Sequence, residues 1–263
     1  TPATLSLPML QSFDIYLQPK VDMINSRIVG AEALIRGIDK DGRIVGPGSF
    51  LSAMESKGAL RSLDLFVLSQ ALLQLDRWQK NGHPLVPISV NFSRYTLFDR
   101  ATSGAVLAIL SNYEHIDPSY IEIEITETAC TVEEATLART LAPYRDMGLH
   151  FALDDFGAGY ANLSIFSKLA FETIKLDRSI VHDIGSNPVS RSLIESILRI
   201  SHEHNITVVA EGVETEEQAS VLKQKDCRIA QGNFFDKPMD VDSFTTKYLS
   251  ASTQPDDIRD RAF

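Results

Sequence analysis

The stretch ALDDFGAGY, residues 152–160, sets Asp154 and Asp155 side by side at the end of an apolar run and follows them with Gly157 and Gly159. Two adjacent carboxylates leaving a buried strand repel each other and lose hydration, so the pair calls for something positive between them. Other polar residues stand where short apolar segments end: Glu32, Asn91, Glu124, Lys175, Glu211 and Gln231. If those ends meet, five carboxylates, two carboxamides and one ammonium share a single mouth. Two unit charges 4 Å apart interact by about 4 kcal/mol at an effective dielectric of 20, so several such repulsions rival a domain's whole stability of about 5–15 kcal/mol. Either some acids hold protons or cations neutralise them, and an all-oxygen donor set with one asparagine suits Mg2+ or Mn2+ rather than zinc. One aspartate could then bridge two ions about 3.5–4 Å apart while its neighbour holds the second, the arrangement used for in-line displacement at phosphorus.

The elements that must position these residues read as eight short β segments, at about 14–20, 28–35, 87–91, 120–125, 149–154, 172–177, 206–211 and 227–231. Helical patterns lie between most of them. In SLDLFVLSQALLQLDRW the residues Leu65, Leu68, Leu72 and Leu75 recur at intervals of three and four, with Ser62 as the expected N-cap. A second pattern runs from Val189 to Glu203, with Asn205 near its end. Strands alternating with helices imply parallel strands, and eight in a chain of this length is the barrel number. Residues 21–27 are too few for a parallel crossover, so the first two strands pair antiparallel. The expected fold is therefore of the α/β class, a modified (β/α)8, TIM-like barrel with an antiparallel first strand. In such a barrel the C-terminal strand ends gather on one face, which is where the polar residues fall. Residues 1–8 read as a linker or N-terminal extension, 9–250 as the catalytic domain and 251–263 as a C-terminal tail.

Of the 263 residues 44% are hydrophobic, enough for one large core, and no uninterrupted apolar run approaches the roughly 18 residues of a membrane span. No signal segment opens the chain, so we expect no direct membrane insertion and a cytoplasmic location, or the cytoplasmic part of a larger, membrane-attached protein. Because the chain starts at Thr1 rather than at a methionine, we expect a segment of a longer polypeptide. Two cysteines, Cys130 and Cys227, stand far apart with no metal-ligand spacing. A formal net charge of −10 argues against a DNA or RNA polymer or an anionic membrane as partner. A small phosphate substrate is compatible with it, provided local cations supply positive charge. The DFG triplet at 155–157 lacks the other segments of a protein kinase, and His202 and His204 do not have HExxH spacing. A single strand-end acid is more often a helix cap than a ligand, but the convergence of five overturns that reading.

The motifs AEALIRG (31–37), VNFS (90–93), EITE (124–127), DDFGAGYANLS (154–164), IKLD (174–177), AEGVET (210–215) and QGNFF (231–235) resemble, in order and over residues 14–240, the signature set of EAL-domain phosphodiesterases. The resemblance implies hydrolysis of the bacterial second messenger cyclic di-GMP to linear 5'-pGpG with two Mg2+ or Mn2+ ions. It implies that Glu32, Asn91, Glu124 and Asp154 bind one ion and that Asp154, Asp155 and Glu211 bind the other. Glu32, Lys175 and Glu211 would be catalytic, with Lys175 touching the attacking water. Gln18, Leu34, Arg36, Asp177 and Gln231 would contact substrate, Arg36 through a phosphate. Glu127, Gly157, Gly159 and Glu214 would position the loops. By the same analogy a homodimer is expected, tethered to sensory or GGDEF-like domains. Two positions depart from the commonest pattern, Ala158 in the glycine loop and Asn233 where an aromatic usually follows Gln-Gly. Asn233 bears on base stacking, for which Phe234 or Phe235 could substitute. The residues also leave open a receptor that binds without cleaving, although no ligand is missing here, and a hydrolase of another phosphodiester.

Overall fold

A computed structural model of the chain describes residues 12–158 and 171–250. Strands β1 (Phe13–Asp22), β2 (Arg27–Ile38), β3 (Ile44–Val45), β4 (Ile88–Asn91), β5 (Ile121–Thr126), β6 (His150–Phe156), β7 (Thr173–Leu176), β8 (Thr207–Ala210), β9 (Ile229–Ala230) and β10 (Met239–Asp240) form one sheet. Its order is β10-β1-β9-β8-β7-β6-β5-β4-β2-β3, and pairing of β1 with β2 closes eight of the strands into a barrel. Neighbours from β2 round to β9 run parallel, whereas β1 is antiparallel to both β2 and β9. The expected architecture is therefore the observed one. A four-residue connection can reverse the chain but cannot return it to the same end of the sheet, and Ser26, with φ 57°, makes the turn. The two-residue strands β3 and β10 extend β2 and β1 outside the ring and were not visible as separate segments in the sequence.

The barrel strands are buried nearly end to end, as expected when helices cover the outside. Along β5 the isoleucines 121, 123 and 125 alternate with Glu122 and Glu124, and all five are buried. Period two sends the isoleucines to the helices and the glutamates to the barrel interior, where they meet residues from other strands. The same alternation on β7 places Lys175 inside, between Ile174 and Leu176. The outer layer includes the helix Leu60–Lys80, whose Leu68, Leu72 and Leu75 are buried as their spacing requires, while Leu65 is half-buried at the margin of the core.

Ser62 is not the cap of this helix. The helix starts at Leu60 with Ala59 before it and no side-chain cap, which puts Ser62 within the first turn. Ala59 and Leu63 pack on Met54 of the preceding short helix Leu51–Ser56, and burial of that small cluster outweighs the local preference of serine for the cap. The second pattern is the helix Pro188–Glu203, capped by Asn187, whose side chain accepts from the amides of Val189 and Ser190. Beyond its end Asn205 takes a left-handed φ of 56°, a conformation that asparagine tolerates well. Residues 1–8, 251–263 and Gly159 lie outside the described residues.

Candidate active site

Adjacent residues of a regular strand face opposite sides, so Asp154 and Asp155 could not share one site on an ideal β6. The strand is not regular there: its register against β7 shifts between Leu153 and Phe156, and Asp155 takes φ 57°. Aspartate is among the few side chains that accept this left-handed region. Gly157 follows at φ 96°, and a Cβ there would meet Ile180 Cδ1 at 2.9 Å, so the turn needs glycine for both conformation and space. The turn thus brings ligand atoms of Asp154, Asp155 and Glu211 within 4.8 Å of one another.

The positive partner that the two aspartates called for is Lys175. Its side chain is 1% exposed, and Nζ lies 2.6 Å from Glu124 Oε2, 2.7 Å from Glu211 Oε1, 3.1 Å from Asp154 Oδ1 and 3.4 Å from Glu32 Oε2. Glu32 is further held by the Asn91 amide, which donates to Oε1 at 2.8 Å, and the Gln231 amide, which donates to Oε2 at 2.6 Å. Gln231 also donates to Gln18 Oε1, and the Gln18 amide donates to the Asp236 carbonyl. An open cleft of about 320 Å³ lies above this network. Gln18, Glu32, Leu34, Asp155, Asp177, Glu211, Glu214 and Gln231 all line it, so most of the sequence-derived set converges on one mouth.

Burial pushes Glu32, Asp154, Asp155 and Glu211 above the usual carboxylate range, and for Glu211 burial and the neighbouring acids outweigh Lys175 and carry it to about 8. Glu124 goes the other way: burial would raise it, but Lys175 and a second ammonium, Lys20, hold it at about 2. Burial would lower Lys175, yet the surrounding carboxylates raise it well above its ordinary value, so it is a cation and a hydrogen-bond donor rather than a base.

Arg36 is not among the residues that line the cleft. Its guanidinium lies over the Tyr16 ring, 5.5 Å from the centroid, and donates to the Ile35 carbonyl. Glu127 opens the 3-10 turn Glu127–Cys130 directly after β5. Asn233 lines the cleft, whereas Phe234 and Phe235 pack edge to face beside it and are not among its lining residues. Sequence reasoning missed Lys20, Glu122, Arg178 and Gly212. Lys20 is two residues beyond Gln18 and Glu122 two before Glu124, so strand alternation was a usable signal for both. Arg178 lines the cleft paired to Glu214 at 2.8 Å, and its stem crosses Gly212, where a Cβ would come within 2.4 Å of Arg178 Cγ. No strand-end rule would have found these two.

The donor set fits divalent cations. Among the described residues Glu32, Glu122, Glu124, Asp154, Asp155 and Glu211 gather around only two ammonium groups, Lys20 and Lys175, so the acids outnumber the cations among them. Asp154 Oδ1 is buried and takes no directed hydrogen bond, although it is ion-paired to Lys175, and Gln231 Oε1 also lacks a partner. Oxygen donors with one carboxamide suit hard ions such as Mg2+ and Mn2+.

The acidic cluster lies at the C-terminal ends of the barrel strands, the face on which enzymes of this architecture keep their active sites. The EAL domain family model matches residues 7–238, and the chain belongs to that family. It is 34% identical over 240 residues to the cyclic di-GMP phosphodiesterase RocR of Pseudomonas aeruginosa, covering 91% of this chain and 60% of that protein. It is 28% identical over 242 residues to the signaling protein YkoW of Bacillus subtilis, covering 92% of this chain and 30% of that protein. The chain therefore spans less than two thirds of these relatives. Among solved structures, the PaMucR phosphodiesterase in complex with c-di-GMP superimposes with a TM-score of 0.83 at 28% identity, covering 89% of this chain and 94% of the other. BlrP1 of Klebsiella pneumoniae, with calcium and cyclic di-GMP, gives 0.77 at 28% identity, covering 87% and 56%.

Proposed function

We propose that this chain hydrolyses cyclic di-GMP to linear 5'-pGpG and that two divalent cations, Mg2+ or Mn2+, take part. The observation that carries the reading is the ring of acids, with Glu32, Glu124 and Asp154 buried, Glu211 partly buried and Asp155 exposed, whose charge two ammonium groups only partly balance. Support also comes from the names of relatives, RocR as a cyclic di-GMP phosphodiesterase and PaMucR as a phosphodiesterase in complex with c-di-GMP. Glu32, Asn91, Glu124 and Asp154 would hold one cation, and Asp154, Asp155 and Glu211 the other. Such cations, when bound, supply positive charge to phosphoryl oxygens and acidify water near neutral pH.

The chain's own residues do the rest. Lys175 Nζ carries a proton and sits among four carboxylates, from where it would contact the attacking water and donate to the phosphoryl oxygens as negative charge builds on them. The Asn91 and Gln231 amides fix Glu32 from both sides, so its carboxylate meets the reacting groups in one orientation. Leu34, Asp177, Gln18 and Gln231 offer an apolar contact and hydrogen-bonding groups to the nucleotide in the cleft. Gly157 gives the aspartate turn the conformation and space it needs, Glu214 keeps Arg178 at the cleft wall, and Glu127 would anchor the loop that begins with the two aspartates. The phosphate contact of Arg36 would require its guanidinium to leave Tyr16. Pairing into a homodimer and attachment to further domains complete the proposal, the latter favoured by the chain spanning only 30% of YkoW.

Purified chain incubated with cyclic di-GMP and Mg2+ or Mn2+ should yield the linear dinucleotide on chromatography, and chelation should stop it. Binding without product would establish the receptor reading instead. Cleavage that survives Glu32→Ala would remove Glu32 from the site.

A further inference from the structure

Beneath the acid ring lies a second buried layer that the reaction does not use. Lys20 on β1, 5% exposed, stands opposite Gly30 of β2 and extends into the barrel. Its Nζ lies 2.8 Å from Glu122 Oε2 and 3.1 Å from Glu124 Oε1, and neither glutamate side chain is more than 1% exposed. Glu124 is thus gripped at both oxygens, at Oε1 by Lys20 from the layer below and at Oε2 by Lys175 at 2.6 Å within the ring. The two ammonium groups are not equivalent. Lys175 touches four acids of the mouth, whereas Lys20 touches one of them and a glutamate two residues earlier on the same strand. Glu122 supplies the counter-charge that lets Lys20 stay buried without adding net positive charge to the site.

Glu124 Oε1 lies with Lys20 in the lower layer, so the oxygen that faces the mouth is Oε2, which Lys175 holds at 2.6 Å and which a cation would share with it. We propose that Lys20 is a positioning residue of the cation site: it fixes Glu124 by Oε1 from the layer below, so that Oε2 is the oxygen presented to a metal ion. The proposal rests on the two-cation reading above. It follows the general behaviour of metal sites, in which the hydrogen bond behind a ligating group sets its orientation. It also accounts for a cation on β1, the barrel strand that is antiparallel to both of its barrel neighbours.

The test is Mn2+ binding to the purified chain without substrate, followed by calorimetry and by the electron paramagnetic resonance of free Mn2+. The variants are Lys20→Met, Lys20→Arg and Glu122→Gln. Loss of the outer hydrogen bond should weaken Mn2+ binding by about 10- to 100-fold in Lys20→Met, while Lys20→Arg restores most of it and Glu122→Gln stays within about threefold of the unaltered chain. If the unaltered chain takes up no Mn2+, the two-cation reading falls and this inference falls with it. If the unaltered chain and Lys20→Met bind Mn2+ equally, the two-cation reading stands and Lys20 has no such role. Equal weakening in Lys20→Met and Glu122→Gln also overturns the proposal, because it marks a packing defect rather than a hold on Glu124. Should Lys20→Met fail to fold, Lys20→Gln, which shortens the reach, takes its place with the same readings.

Discussion

The two ends of the barrel treat carboxylates in opposite ways. At the end away from the mouth Asp22, 2% exposed, has two donors to itself: Arg228 reaches it at 2.5 Å and the Ile24 amide donates to it at 2.9 Å. Burial would raise Asp22, but these donors more than reverse that and hold it below its ordinary value. At the mouth several acids share one lysine, and burial drives Glu211 to about 8 with Glu32 and Asp154 also raised. One end gives its carboxylate donors of its own, whereas the other crowds several acids around one ammonium, where a ligand can answer them. The difference is a physical signature of a working site, since perturbed groups in a cleft seldom serve the fold alone.

The sharpest way to break this comparison is to remove one acid from each end. Glu211→Gln should cut turnover of cyclic di-GMP by about 10³-fold, the scale of losing an electrostatic element of the transition state. The same change should raise the melting temperature of the cation-free chain above pH 8, because a strained carboxylate has gone. A variant that loses activity and stability together would show that Glu211 belongs to the fold.

Cations should matter at the mouth alone. Mg2+ or Mn2+ at 100 times its dissociation constant should stabilise the chain by about 2.7 kcal/mol, read as a rise in melting temperature that Asp22→Asn retains and Asp154→Asn loses. The pH dependence of the cation-free chain separates the two ends further. For Glu211 the folded value of about 8 exceeds the ordinary 4.5, so between those values the folded state keeps a proton the unfolded chain has released, and stability falls as pH rises. Cation binding near pH 7 should accordingly release protons, measurable by calorimetry in buffers of different ionisation enthalpy. Asp22 works in the other direction: its contribution is present above the ordinary 3.8 and is lost as pH falls.

The smallest effect is expected from Asp22→Asn, a loss of about 1 kcal/mol in denaturant unfolding with unchanged turnover, the low end of the range because Arg228 is 44% exposed. A large loss of turnover in that variant would mean that the two ends are coupled.

Much of the site was legible because its residues obey strand periodicity. Glu32, Asn91, Glu124 and Lys175 lie at the ends of recognisable apolar segments, and a barrel turns ends into neighbours. Lys20 was missed because β1 runs backwards, so its interior residues do not sit at a C-terminal end. Arg178 was missed because it faces the cleft from a short helix after β7, Arg178–His182, where no periodicity marks it. The cap of the long helix was misjudged at Ser62 because burial of Ala59 and Leu63 prolongs the helix past the residue that local chemistry favours.

The sequence by itself determined the alternation of strands and helices, the antiparallel start and the identity of the acids, since hydrophobic period and loop length are local properties of the chain. Only the tertiary structure decided that Lys175 stands among four carboxylates, that Lys20 pairs with Glu124 from below, and that Arg36 rests on Tyr16. Those facts depend on which side chains from distant strands share one enclosed, poorly solvated volume. Burial and charge then act over a few ångströms in space, whatever the separation along the chain.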